Sequence, residues 1–300
     1  MSVVIPVRNE GGRIRETIES ILLGRSRPFP IEIIVIDDAS TDGACDSLAA
    51  LSNGFASTTI QVQRLARWAG IPFARNRGAE LARHPVLVIT DGNTVFPPHW
   101  DEHVRQHLQP GRILCATIAD RASSFRGFGC QLQLPSMGVT WIPVAGAYGG
   151  QVPVAPCTFS VIERALFHRL GGYDEALPVY GAAEPEFSVR AWLSGCEIVQ
   201  VPELVIGHRF RPRAEFDAYR AALKPVLMRN YLRFACCYLP CSALARTYAF
   251  YGNGNPATVK DCVDGLVREG VWQRREHLRR LPRPFEWYAE RFALPVRQPD

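Results

Sequence analysis

The strongest constraint on this chain's fold is an alternation in its first third, where short runs of branched apolar residues take turns with stretches of helical period. Val3-Val4-Ile5-Pro6-Val7 reads as a strand, and Ile14, Ile18, Ile21 and Leu22 follow at i, i+4, i+7 and i+8, one face of a helix. Residues 31–36 form a second apolar run that breaks at Asp37-Asp38, after which Ser40-Thr41-Asp42 is placed to cap a helix to about Leu51. Residues 60–65 read as a third strand, 73–82 as a helix, and 86–90 as a fourth strand ending at Asp91. Strands that are apolar throughout need cover on both faces, which predicts an α/β fold with a parallel sheet between helices. Ligands of such sheets bind at the carboxyl ends of the strands, where Asp37, Asp38 and Asp91 all fall.

The second half is less regular. A Gly-, Pro- and Ser-rich region spans about 121–156, followed by a predicted helix near 162–170, another over 186–193, and strand runs at 198–201 and 204–206 ahead of Gly207-His208. From Glu215 onward the pattern is helical, with Pro225, Pro240 and Pro256 as expected breaks. No internal repeat is present.

Composition narrows the class. With 300 residues, 47% of them hydrophobic and 21% charged, the chain can bury a full core, which excludes a disordered or collagen-like protein. The longest mostly apolar stretch, 234–245, contains Pro240 and falls short of the roughly 20 residues a spanning helix needs. The net charge is +5, and of the 34 Lys and Arg residues only Lys224 and Lys260 are lysines. No block of like charge and no RNA-binding pattern is present, so nucleic acid is not an expected partner. Nine cysteines without paired zinc spacing are expected to be reduced thiols. The sequence runs from Met1-Ser2 directly into an apolar strand with no charged leader region, so the expected location is cytoplasmic.

Asp91, Glu184 and His208 stand out as chemistry-bearing residues. A nucleotide diphosphate leaves poorly at neutral pH unless a divalent cation takes up the charge developing on it, and such cations choose carboxylate, with imidazole acceptable to manganese. Asp91 at a strand end suits that task, although Asp91-Gly92-Asn93 on its own also fits a simple turn.

Taken in order, the segments Val4-Ile5-Pro6-Val7-Arg8-Asn9-Glu10, Ile34-Val35-Ile36-Asp37-Asp38-Ala39-Ser40-Thr41-Asp42-Gly43, Ala74-Arg75-Asn76-Arg77-Gly78 and Thr90-Asp91-Gly92-Asn93 resemble the family-2 glycosyltransferases with a GT-A fold. Gly171-Gly172-Tyr173-Asp174-Glu175, the run from Gly181 through Ala183-Glu184-Pro185-Glu186 to Arg190, and Gly207-His208-Arg209-Phe210-Arg211 extend the likeness, which leans toward the polypeptide GalNAc-transferase branch. The resemblance covers 2–212. It implies a Rossmann-like, mostly parallel sheet with flanking helices in a catalytic domain, 1–212, and a helical C-terminal extension, 213–300.

The same resemblance implies site residues. Pro6, Val7, Glu10, Asp37 and Asp38 would hold the nucleotide base and ribose, and Arg75 would approach the base or the diphosphate. Asp91 matches the first aspartate of the family's Asp-x-Asp metal motif, with Asn93 in the third place and His208 as a further ligand for Mn2+ or Mg2+. An amide oxygen is a poorer ligand than a carboxylate. Glu184 stands where the family's acidic base sits, with Ala183 replacing a preceding glutamate and Glu186 expected to turn toward Arg190. Trp141 is a candidate sugar-stacking platform, Tyr180 an acceptor-side aromatic, and Cys157 follows small residues where the donor sugar would approach.

The implied activity is transfer of a sugar from a nucleotide diphosphate donor, expected to be UDP-linked, to a glycan, peptide or lipid-linked acceptor, with inversion and Glu184 as base. The GalNAc-transferase branch itself retains configuration. Two competitors are a nucleotide-sugar or glycan-binding module with decayed motifs and a nucleotidyltransferase. The basic stretch 268–283, with Val271, Trp272 and Leu278 interleaved, reads as a solvated helix face, with a peripheral contact to an anionic inner membrane face as the alternative.

Overall fold

A computed structural model describes residues 1–296. Its strands are β1 (Ser2–Val7), β2 (Ile31–Asp37), β3 (Thr58–Arg64), β4 (Val86–Thr90), β5 (Thr94–Val95), β6 (Arg112–Asp120), β7 (Arg126–Gly127), β8 (Cys130–Leu132), β9 (Val139–Trp141), β10 (Phe159–Glu163) and β11 (Glu197–His208). Nine of these form one sheet in the order β3-β2-β1-β4-β10-β6-β11-β5, with β7 on β6, while β8 and β9 make a small hairpin. The pairs β3-β2, β2-β1 and β1-β4 are parallel, as the alternating pattern requires. Strand β10 then runs antiparallel between β4 and β6.

Helices α1 (Arg13–Leu23), α2 (Ile71–Leu81), α3 (Trp100–His107), α4 (Arg164–Arg169) and α5 (Ala183–Leu193) flank the sheet. Side chains alternate across each strand, so Val3, Ile5 and Val7 join one core with Ile14, Ile18, Ile21 and Trp100, while Val4 joins the other. Helix α2 lies so close to β1 that a Cβ on Gly78 would come within 2.3 Å of a Val4 methyl.

The C-terminal chain forms α6 (Arg213–Ala222), α7 (Lys224–Tyr238), α8 (Cys241–Gly252), α9 (Pro256–Arg268), α10 (Val271–Leu278) and α11 (Phe285–Arg291). Pro225 and Pro256 stand in first turns and Pro240 directly before α8, where a missing N–H costs nothing. Leu232, Phe234, Leu244, Val259, Leu266, Val271, Leu278 and Tyr288 share one buried cluster with Val4, Ile34 and the buried face of α5.

Two local expectations are corrected. The predicted helix after Ser40 is a loop ending in a 3-10 turn, Leu48–Gly54. Its would-be capping groups serve the neighbouring loop instead: Asp42 accepts from Gly11 N at 2.8 Å, Thr41 N donates to Asn9 Oδ1 at 2.8 Å, and Gly43 takes φ +68. Ile162 belongs to β10, with the helix beginning only at Arg164. Helix α3 and the central strand β6 lie in a stretch for which the sequence pattern gave no assignment.

Candidate functional site

Strand ends β1, β2 and β4, the far end of β11 and the start of α5 converge on one region, and a buried arginine joins the β4 end to α5. Arg75 on α2 has no exposed surface. Its Nη1 donates to Glu184 Oε1 at 2.6 Å, and its Nη2 donates to Asp91 Oδ1 at 3.1 Å and to the Cys157 carbonyl at 3.0 Å. The Tyr173 ring centre lies 5.2 Å from the guanidinium carbon. Arg75, expected at the base or diphosphate, is buried and bonded to two carboxylates of the site. A planar fork with several fixed donors suits that bridging task.

Glu184 occupies the first turn of α5, where the helix dipole favours an anion. Only its Oε1 has a protein partner among the described residues. Glu186, as expected, turns to Arg190, which donates to both of its oxygens at 2.9 and 2.7 Å, and Tyr238 adds a third bond at 2.7 Å. Burial would raise the Glu186 carboxyl, but Arg190, Tyr238 and Arg274 outweigh it and hold it below its ordinary value.

The turn after β4 carries the expected metal residues. Asn93 Nδ2 donates to the Arg209 carbonyl at 3.2 Å, which turns Oδ1 the other way, and that oxygen is buried without a partner. Strand β11 pairs with β5 through His208 and Thr94, so His208 lies beside this turn. Its Nδ1 is likewise buried and unpartnered. Burial lowers the His208 pKa more than Asp91 and Asp120 raise it, keeping the imidazole neutral and able to ligate. Two orphaned acceptors beside Asp91 fit a divalent cation. Among the described residues no three His, Cys, Asp or Glu groups gather closely enough to hold one alone, so phosphate oxygens would have to complete its shell.

The remaining candidates are placed as follows. Pro6 and Val7 end β1; the Val7 side chain is in the core and its carbonyl accepts from Asp38 N at 2.8 Å. Both aspartates of the pair are buried and hold loops: Asp37 accepts from Ser40 N at 2.9 Å and Arg64 Nε at 3.1 Å, Asp38 from Ala69 N at 2.7 Å and Gly70 N at 2.8 Å. Each carboxylate oxygen keeps a second lone pair. Glu10 abuts Gly92 and pairs with Arg13 at 2.9 Å; burial raises its carboxyl beyond what Arg13 offsets.

Trp141 packs edge-on with Phe125 and Phe210 at 5.6 and 6.1 Å, and Phe210 in turn meets His208 at 4.3 Å. Cys157 contributes its carbonyl rather than its thiol, which burial pushes well above the ordinary range and keeps protonated. Tyr180 meets Tyr219 of α6 edge-on at 5.5 Å. The sequence reading missed Asn76, which grips Tyr173 through both backbone groups at 2.9 and 2.8 Å, although its Ala-Arg-Asn motif was visible. In the basic stretch 268–283, Val271 and Leu278 are buried in the core and Trp272 is exposed. Among the described residues no helix is long and apolar enough to cross a membrane.

Comparison with known proteins agrees with this architecture. Polypeptide N-acetylgalactosaminyltransferase 8 of Drosophila melanogaster is 28% identical over 312 residues, covering 98% of this chain and 51% of that protein. Polypeptide N-acetylgalactosaminyltransferase 5 of Rattus norvegicus is 28% identical over 301 residues, 93% of this chain and 31% of the relative. The chain thus spans about half or less of those relatives' length. Among solved structures, GalNAc-T7 with UDP, GalNAc and Mn2+ superposes with a TM-score of 0.74 at 20% identity, covering 97% of this chain and 56% of that one. A mannosyltransferase from Pyrobaculum calidifontis in complex with GDP-Man and Mn2+ gives 0.58 at 16% identity, with 98% and 84% covered. These likenesses show the GT-A fold. The family described as Glycosyl transferase family 2 matches residues 2–171, more than half of the chain, and on that match together with the strand-end site the chain belongs to glycosyl transferase family 2.

Proposed function

We propose that this chain transfers a sugar from a nucleotide diphosphate donor, a UDP-sugar, to a hydroxyl of a peptide acceptor. The observation that carries the reading is the Arg75 bridge, which holds Asp91 and Glu184 at one strand-end site. The relatives' names support a polypeptide acceptor and the UDP in the GalNAc-T7 structure supports a UDP donor; glycan and lipid-linked acceptors are the alternatives. Asp91, Asn93 Oδ1 and His208 Nδ1 would hold a Mn2+ or Mg2+ ion. When bound, that ion would neutralise charge developing on the leaving diphosphate.

In this reading the ends of β1 and β2, with Asp37 and Asp38, hold the nucleotide, and Arg75 positions both carboxylates from below. Glu184 Oε2 takes the acceptor proton as the hydroxyl attacks, which gives inversion at the anomeric carbon. The Phe125, Trp141 and Phe210 cluster forms the acceptor wall. Nine free thiols support a reducing, cytoplasmic setting. A second reading follows from the 2.6 Å grip of Arg75 on Glu184, which makes Glu184 an orienting group in a transfer that retains configuration.

One experiment separates these: proton NMR of the product's anomeric centre, run with wild type and Glu184→Gln. The proposal expects inversion and a loss of about 10² or more in turnover with UDP binding kept. Retention, or undiminished turnover in the variant, removes Glu184 as base.

A further inference from the structure

We propose that Asn230 of α7, outside the family match, is a positioning residue for the turn that delivers Tyr180 and Glu184; this rests on the transferase reading above. The turn ahead of α5 is conformationally demanding. Val179 and Ala182 both take φ +66 and Gly181 takes φ +93, immediately before the helix start that carries Glu184. A β-branched residue in the left-handed region is a genuine outlier, and such conformations persist only where the surroundings over-determine them.

Here the surroundings are a C-terminal helix. The Asn230 side chain is fully buried, and its Nδ2 donates to the carbonyls of Pro178 at 2.8 Å and Tyr180 at 3.0 Å, with the Gly181 carbonyl at 3.4 Å. Its Oδ1 accepts from Arg229 Nη1 at 3.3 Å, which fixes the amide's orientation, and the same Arg229 nitrogen donates to the Ala176 carbonyl at 2.8 Å. One turn on, Arg233 Nε reaches Asp174 at 3.1 Å. The fit is close: a Cβ on Gly181 would stand 2.5 Å from Leu227. From the other side, Ile71 N donates to the Val179 carbonyl at 3.1 Å, four residues ahead of Arg75 on the same helix.

Asparagine meets this requirement because one nitrogen supplies two N–H groups to converging carbonyls while its oxygen receives Arg229. Aspartate offers no donor, leucine of similar volume offers no polar group, and serine keeps a single donor. Removing the amide frees the turn and shifts Glu184 relative to Arg75 without touching the strand ends. A small misplacement of a reacting group lowers turnover while leaving donor binding intact.

The test combines steady-state kinetics with amide hydrogen exchange on Asn230→Leu and the milder Asn230→Ser. Faster exchange confined to 176–184, with β1–β4 protection unchanged, is expected for both. Turnover should fall by about 10²-fold in Asn230→Leu, less in Asn230→Ser, with donor KM within about twofold of wild type. Unchanged exchange at 176–184, loosening of the whole sheet, or a rise in donor KM with kcat kept would each overturn the assignment. Should Asn230→Leu fail to fold, Asn230→Ser alone decides. The exchange readout needs no substrate, so an inactive wild type would sink the transferase reading and leave the clamp separately tested.

Discussion

Asn93 offers a cation a neutral oxygen where a carboxylate would bind more strongly, and its amide nitrogen is tied to the Arg209 carbonyl. Asn93→Asp exchanges that hydrogen bond for a second charge at the site. It should lower the manganese concentration giving half-maximal UDP-dependent stabilisation by about tenfold, the scale on which ligand charge tunes affinity. A manganese titration of melting temperature at fixed UDP checks this, and an unchanged or higher midpoint removes Asn93 from the ligand set. Asp91, Asn93, Glu184 and His208 were singled out through the family resemblance, which matched each to a motif position. Arg75 was legible as a motif residue, but its carboxylate partners were not. Its partners lie 16 and 109 residues away, and no local pattern records which way a helix side chain points. The partners of Asn230 were hidden for the same reason, its contacts crossing about 50 residues of chain.

Among the elements, α5 combines a site residue with a buried ion pair on the same few turns. Glu184 faces the site, while Glu186 and Arg190 are nearly fully buried behind it. Because the folded Glu186 pKa lies below its ordinary 4.5, this group adds stability above that pH and loses it as pH falls through the folded value. Acid unfolding should therefore set in below about pH 4.5, and Arg190→Met should remove that component. The same substitution at neutral pH should cost about 3–5 kcal/mol by leaving a buried carboxylate short of its main partner, nearer the lower figure because Tyr238 and Arg274 remain. Urea unfolding across pH measures both, and parallel profiles for the two proteins would contradict the assignment. Elements with strong periodicity, β1 to β4 with α1 and α2, were readable from the sequence. The 40–51 segment was not, because its capping residues bond across to the β1 loop. Strand β11 read as two pieces because Pro202-Glu203 interrupts its apolar run, where its pairing with β6 shifts register between Val201 and Val205.

At the scale of the molecule, the division into 1–212 and 213–300 marks segments of sequence whose apolar side chains enter one cluster. We propose that the extension completes the catalytic domain rather than standing apart from it. A truncation ending at residue 212 would expose the α5 face and the Val4 side of the sheet, so it should lack a cooperative thermal transition by circular dichroism. A cooperative transition in that fragment would show an independent domain. The most direct test of the central claim, a strand-end site for a nucleotide diphosphate sugar and a divalent cation, is thermal unfolding of wild type and Asp91→Ala with UDP and UDP-sugars, with and without manganese. The account predicts a wild-type shift that needs both nucleotide and manganese, worth about 2.7 kcal/mol at a hundredfold excess over Kd, and absent in Asp91→Ala. No shift with any nucleotide, or an equal shift in the variant, would contradict it.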